Sequence, residues 1–142
     1  MNRITAISLL TLGSLASCAG AMAQQPAMKA DIPFGFAVGN TWLPAGEYTI
    51  SSPLRHLIEF QSADHANMAT VVSAESHQES NSGSKLVFEK YGNQYFLHRV
   101  LCPTVSQMNL DVASGKMEKA AHKRSLEARN PDNGQETLVA AR

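Results

Sequence analysis

Residues 32–50 read IPFGFAVGNTWLPAGEYTI, and their alternation decides the fold class. Ile32, Phe34, Phe36 and Val38 share one parity, with Pro33, Gly35 and Ala37 on the other. A period of two places those apolar side chains on one face of a strand. Gly39-Asn40 supplies the positive φ that a tight reversal needs. Leu43-Pro44-Ala45-Gly46 predicts a second reversal, in which Pro sets φ and Gly relaxes the turn. The alternation resumes in Glu47-Tyr48-Thr49-Ile50, where Tyr48 and Ile50 oppose polar neighbours. This is a core-forming β unit whose one side chain of catalytic type is Glu47.

Downstream, Ser51-Ser52-Pro53 breaks the strand, His56–Gln61 alternates through Ile58 and Phe60, and Met68–Ala74 predicts a further strand. Residues 75–84, ESHQESNSGS, carry no apolar side chain and read as a solvated loop or hairpin tip. Lys85–Tyr91 and Gln94–Leu101 flank Gly92-Asn93, a connection with Gly first, as a type II′ hairpin turn requires. That turn pairs Lys90 with Tyr95, Phe88 with Leu97 and Leu86 with Arg99 on one face. On the other it pairs Glu89 with Phe96 and Val87 with His98. Both faces are partly apolar, which places the hairpin centrally in its sheet.

Val105–Val112 predicts a short strand, and Ser114 is placed to cap a helix over Lys116–Arg129 that Asn130-Pro131 ends. The helix has a thin apolar stripe of Met117, Ala121 and Ala128, so it packs by one edge. Thr137–Ala140 then returns to the sheet. The expected architecture is mainly β: a single small β-sandwich or partly open barrel of about seven strands with one C-terminal α-helix, spanning residues 32–142.

Composition fits one folded domain: 142 residues, 44% hydrophobic and 17% charged. Basic and acidic residues balance to a net charge of +0, so no overall field draws nucleic acid. Arg3, the apolar run Ile4–Leu15 and Ala21-Met22-Ala23 read as a signal peptide over residues 1–23, with cleavage before Gln24. The run is too short for a permanent span, so no transmembrane segment is expected in the mature chain. Leu15-Ala16-Ser17-Cys18 offers a second route, a lipobox in which Cys18 is lipidated and anchors the protein. Either route predicts export, to the periplasm or beyond or to a membrane anchor. Residues 24–31 read as a mobile polar leader.

The chemistry-bearing residues form no recognised motif. Histidines at 56, 65, 77, 98 and 122 make no HxH or HxxxH pair. His65 and His77, beside Asp64 and Glu75, are the one grouping with metal-site character, and solvated loop positions are the expectation for both. Neither a metal nor a cofactor is expected. His98 and Cys102 lie about 13 Å apart along a strand, too far for a direct hydrogen bond, and both read as packing residues. Cys102 is expected as a small buried hydrophobe before Pro103. Glu47, Glu59, Glu89 and Asp111 show no pairing, no GxSxG elbow is present, and the glycines occupy turns. Lys116, Lys119, Lys123, Arg124 and Arg129 make the helix basic against Glu118 and Glu127. A solvated face is expected there, with docking of anionic lipid or polysaccharide by Lys116, Lys119, Lys123 and Arg124 as the sharper alternative.

Together, IPFGFAVGNTWLPAGEYTI, LVFEKYGNQYFLHRV and the basic helix resemble a group of small exported bacterial proteins of unknown function. Their pattern is a signal peptide, a PFxFxVG…LPAGEY strand pair and a YGxxYFL hairpin. The resemblance implies export and a small β domain, and it carries no activity to transfer. The expected role is that of a non-enzymatic, exported module that binds a partner or an envelope component. The alternatives are a lipoprotein tethered through Cys18 and a metal-dependent hydrolase.

Overall fold

The alternation read from the sequence becomes a closed ring of strands. The computed structural model describes residues 27–76, 83–103, 108–129 and 134–142. Its strands are β1 (Ala27–Ile32), β2 (Phe36–Val38), β3 (Thr41–Leu43), β4 (Gly46–Ser51), β5 (Leu57–Ser62), β6 (Met68–Glu75), β7 (Ser84–Tyr91), β8 (Gln94–Leu101), β9 (Leu110–Val112) and β10 (Gln135–Ala141). One helix, α1 (Lys116–Glu127), lies between β9 and β10. The signal-peptide features Ala21, Ala23 and Gln24, the lipobox Cys18, and His77 lie outside the described residues.

Eight strands close in the order β8-β7-β10-β1-β4-β5-β6-β9 and back to β8, all antiparallel. This corrects the expectation of a sandwich or open barrel of seven strands. Closure depends on β9, only three residues long, which pairs Ser73–Glu75 of β6 on one edge and Arg99–Val100 of β8 on the other. Closing the ring removes the unpaired strand edges an open sheet would expose. The other end of β8 on that same edge takes β2 in parallel, Phe36 beside Tyr95 and Ala37 beside Phe96. β2 and β3 therefore form an extra hairpin set into the seam, turned at Gly39 with φ +60°.

The sheet also starts earlier than expected. Residues 27–31, read as leader, are strand: Ala27–Ile32 pairs with Gly46–Ser51 along its whole length. Lys29 and Arg142 exchange two backbone hydrogen bonds at 2.7 and 2.9 Å, joining the two ends of the described chain. Met28, Ala30 and Ile32 point inward, and Lys29 and Asp31 outward.

The interior is filled by rings. Phe36 meets Tyr48, Phe88 and Phe60 edge-on, with centroids 5.3, 5.3 and 5.9 Å away, and all four side chains are buried. Such edge-to-face contacts add to the apolar area each ring buries. Phe34 is half-buried, stacked on Tyr95 at 3.9 Å. Tyr48 keeps its hydroxyl satisfied by donating to the Pro44 carbonyl at 2.8 Å, which ties the LPAG reversal to the core. Outward positions carry Lys29, Asp31, Glu47 and Glu59. That polarity, apolar inside and charged outside, is the reverse of lipid-facing strands. Among the described residues no helix is long and apolar enough to cross a membrane.

α1 lies on the outside of the barrel. Met117 and Ala121 pack against Ala37, Tyr91 and Phe96 of β2, β7 and β8. Its first turn is not capped by Ser114, as the sequence suggests. Gly115 is the N-cap residue, and the Lys116 amide donates to Asn40 Oδ1 at 2.9 Å. The cap thus comes from the β2–β3 turn, far away in sequence. Gly115 permits that approach, because a Cβ there would lie 2.5 Å from the Gly39 carbonyl oxygen and 2.7 Å from Asn40 Oδ1. Gly115→Ala is expected to cost about 1–3 kcal/mol by overpacking. Chemical denaturation of the variant checks this, and an unchanged midpoint would refute the close approach.

Candidate functional site

The β7–β8 hairpin has the expected turn, with Gly92 at φ +63°, and the expected pairs Lys90–Tyr95, Glu89–Phe96 and Phe88–Leu97. Beyond Phe88 the register shifts. Val87 pairs with Arg99 and Leu86 with Val100, so His98 has no cross-strand partner. The pairs predicted there, Val87–His98 and Leu86–Arg99, are therefore corrected by a β-bulge. A bulge inserts one residue and re-aims its side chain. Here His98 and Arg99 both reach groups on the outer face: His98 reaches Glu89, and Arg99 reaches Asp111 and Glu136.

His98 is the centre of the site. Its Nε2 lies 2.8 Å from Glu89 Oε2 on β7 and is also hydrogen-bonded to Glu118 Oε1 on α1. The expectation that His98 serves packing alone, and that Glu89 has no pairing, is corrected by these contacts. Glu118 is 4% exposed, and the side chains of His98 and Glu89 are about three-quarters buried. Glu118, Ala121 and Ser125 form the buried face of α1. Only Ala121 among them is apolar, so the stripe Met117, Ala121, Ala128 found one residue of this face and missed Glu118 and Ser125; Ala128, the C-cap residue, is exposed.

The electrostatics follow from the crowding. The hydrogen bond to Glu118 raises the His98 pKa above its ordinary value. Burial opposes that rise, the charges of Glu118 and Glu89 add to it, and Arg99 opposes it. Burial pushes the Tyr91 phenol well up, and the hydrogen bond of its hydroxyl to Glu89 pushes it further. A chain of contacts thus runs Tyr91–Glu89–His98–Glu118 from the hairpin to the helix. Arg99, the next residue, is 2.8 Å from Glu136 and 3.8 Å from Asp111. Four carboxylates therefore share this strip with His98 and Arg99.

The raised His98 pKa has a consequence for stability. A group whose pKa is higher folded than unfolded contributes stability that is complete below the unfolded value, here 6.5. That contribution fades as pH rises through the folded value. The thermal midpoint should accordingly fall on going from below pH 6.5 into the alkaline range, and His98→Gln should flatten that part of the profile. A wild-type profile identical to that of the variant would contradict the assignment.

The remaining sequence candidates stand apart. Cys102 is buried in the core, as expected, with its amide donating to Asn109 Oδ1 at 2.8 Å and Ser84 Oγ donating to its sulfur at 3.4 Å. His65 is exposed in the β5–β6 turn, and Glu47 is exposed 4.0 Å from Lys29. Lys116, Lys119, Lys123 and Arg124 are all exposed along α1. His122 lies against Tyr91, the rings tilted by 40° with centroids 4.9 Å apart. His56 belongs to no sequence motif. It sits at φ +64° in an open groove of about 340 Å³ beside Ser52, Arg55 and Glu75, and its Nδ1 is buried without a hydrogen-bond partner.

The architecture is that of a closed eight-stranded barrel carrying a helix on its outer wall, held by an imidazole between two carboxylates. No protein-family model, no curated protein and no solved structure matches the chain.

Proposed function

We propose that the protein is an exported, non-enzymatic β-barrel module that binds a partner or an envelope component through its outer surface. The filled interior carries this reading. Phe36, Tyr48, Phe60 and Phe88 occupy the space in which small barrels of this strand number otherwise hold a ligand. Recognition is then left to the wall and the loop ends. The targeting pattern of residues 1–23 and the resemblance to small exported bacterial proteins support export. The lipoprotein alternative differs only at the N-terminus. Mass spectrometry of protein from its host separates a chain beginning at Gln24 from one beginning at lipidated Cys18, and an intact Met1 would overturn export altogether.

The exposed cations of α1 are the surface feature most readily tested. As a solvated face, Lys119, Lys123 and Arg124 replaced together by Gln should change stability by no more than about 0.5 kcal/mol per site. Retention on anionic vesicles or polysaccharide should then be the same for both proteins. Retention by the wild type that weakens with salt and is lost in the triple variant would instead make this row the contact surface, because charges in solvent are screened over about 8 Å at physiological ionic strength.

A further inference from the structure

We propose that Glu89, His98 and Glu118 bind a divalent transition-metal ion that fastens α1 to the barrel wall. The site is built from three elements, β7, β8 and α1, and one ligand atom from each residue lies within 4.8 Å of the others. Metal–nitrogen and metal–oxygen bonds of about 2.0–2.2 Å place the ligand atoms of a single ion roughly 3–4 Å apart. The observed set is a slightly contracted version of that shell: His98 Nε2 is 2.8 Å from Glu89 Oε2 and hydrogen-bonded to Glu118 Oε1. Small side-chain rotations outward would admit an ion.

Charge gives the independent reason. Both contacts use Nε2, which carries at most one proton, so one donor serves two carboxylate acceptors. Even with the imidazole charged, one carboxylate charge stays unneutralised by it, and Glu118 is more than nine-tenths buried. Arg99 is engaged by Asp111 and Glu136 on the same strip. Burying a carboxylate without full compensation is costly. A divalent ion offsets both carboxylate charges, and coordination through Nε2 releases any proton there to solvent.

The donor set selects the metal. One imidazole with two carboxylates suits zinc, manganese, iron or nickel, whereas magnesium and calcium favour oxygen ligands throughout. The Tyr91 hydroxyl, hydrogen-bonded to Glu89, supplies the outer contact that commonly orients a ligating carboxylate. The hairpin places His98 on the face of Glu89, and the bulge brings Arg99 to that same face beside it. Three protein ligands leave a fourth position for water or for a group from a partner. The proposal is independent of whether the chain is exported.

The test uses the full-length protein purified from its host, stripped by chelator and titrated calorimetrically with Zn2+. The expected result is one equivalent bound with a rise in thermal midpoint. Glu89→Gln and Glu118→Gln should each weaken binding by tenfold or more, and His98→Gln should weaken it most. Because poor binding also results from misfolding, Co2+ is added to the wild type and to Glu89→Gln, the more exposed of the two glutamates, after far-ultraviolet circular dichroism has verified folding. A visible Co2+ band in the wild type that is reduced in the folded variant supports the site. Absence of binding by the wild type at micromolar Zn2+, or binding that survives in His98→Gln, would overturn it.

Discussion

Phe36→Ala should cost the barrel about 3–5 kcal/mol, with Phe88→Ala close behind. A domain of this size holds roughly 5–15 kcal/mol in total, so either substitution removes a large share of the margin. The magnitude follows from where Phe36 sits. It is fully buried at the seam, where β2 lies against β8, and its ring touches those of Tyr48, Phe60 and Phe88 on three other strands. Truncation leaves a cavity among rings that β-sheet closure holds in place, so collapse to fill it is restricted. Phe34→Ala should cost less, because Phe34 is half-buried and its stacking partner Tyr95 is also partly exposed. Urea titration of the three variants gives the order, and an unchanged midpoint for Phe36→Ala and Phe88→Ala would refute the core.

The core was legible because its residues obey one simple rule. Phe36, Tyr48, Ile50, Ile58, Phe60, Phe88 and Leu97 all lie on inward parities of strands that alternate clearly. The turn glycines Gly39 and Gly92 were legible for an equally local reason, their positive φ. β1 was missed although Met28, Ala30 and Ile32 alternate with Lys29 and Asp31, because two alanines dilute the contrast and the stretch follows the expected cleavage site closely enough to read as a leader. Closure was missed because it depends on three residues of β9 meeting two strands that are distant in sequence. Nothing local distinguishes a strand with one neighbour from a strand with two.

The site was hidden for different reasons. A bulge is a property of the pairing, and the uniform register puts Arg99 opposite the core residue Leu86, away from Glu89 and His98. The helix face that meets it is Glu118, Ala121 and Ser125, a polar face that no apolar periodicity would select. The available signal was the coincidence of Glu89 and His98 in one hairpin with an acidic first turn in the following helix. Read alone, Glu118 is explained by the helix dipole.

His98→Ala should be the most damaging change outside the core. It removes the donor shared by Glu89 and Glu118 and leaves Glu118 buried beside a second carboxylate. Removing one member of a fully buried pair costs about 3–5 kcal/mol. With His98 and Glu89 about one-quarter exposed, roughly 2–3 kcal/mol is expected for the metal-free protein. Glu118→Ala should cost less, since it relieves the like-charge contact while His98 keeps Glu89. The double variant His98→Leu, Glu118→Met should recover much of the loss, because apolar side chains of similar volume avoid the desolvation of both charges. Thermal unfolding in chelator gives the ranking. A double variant less stable than His98→Ala would show that the polar contacts stabilise the docked helix in their own right.

His98 joins α1 to the barrel through Glu118, and a double-mutant cycle measures that contact directly. His98→Gln, Glu118→Gln and the pair are unfolded in urea below pH 6.5, with metal removed. The predicted coupling is about 1–3 kcal/mol, the range for a charge-assisted hydrogen bond out of bulk water. Effects that add to within about 0.5 kcal/mol would mean that the two side chains do not interact, and would contradict the site.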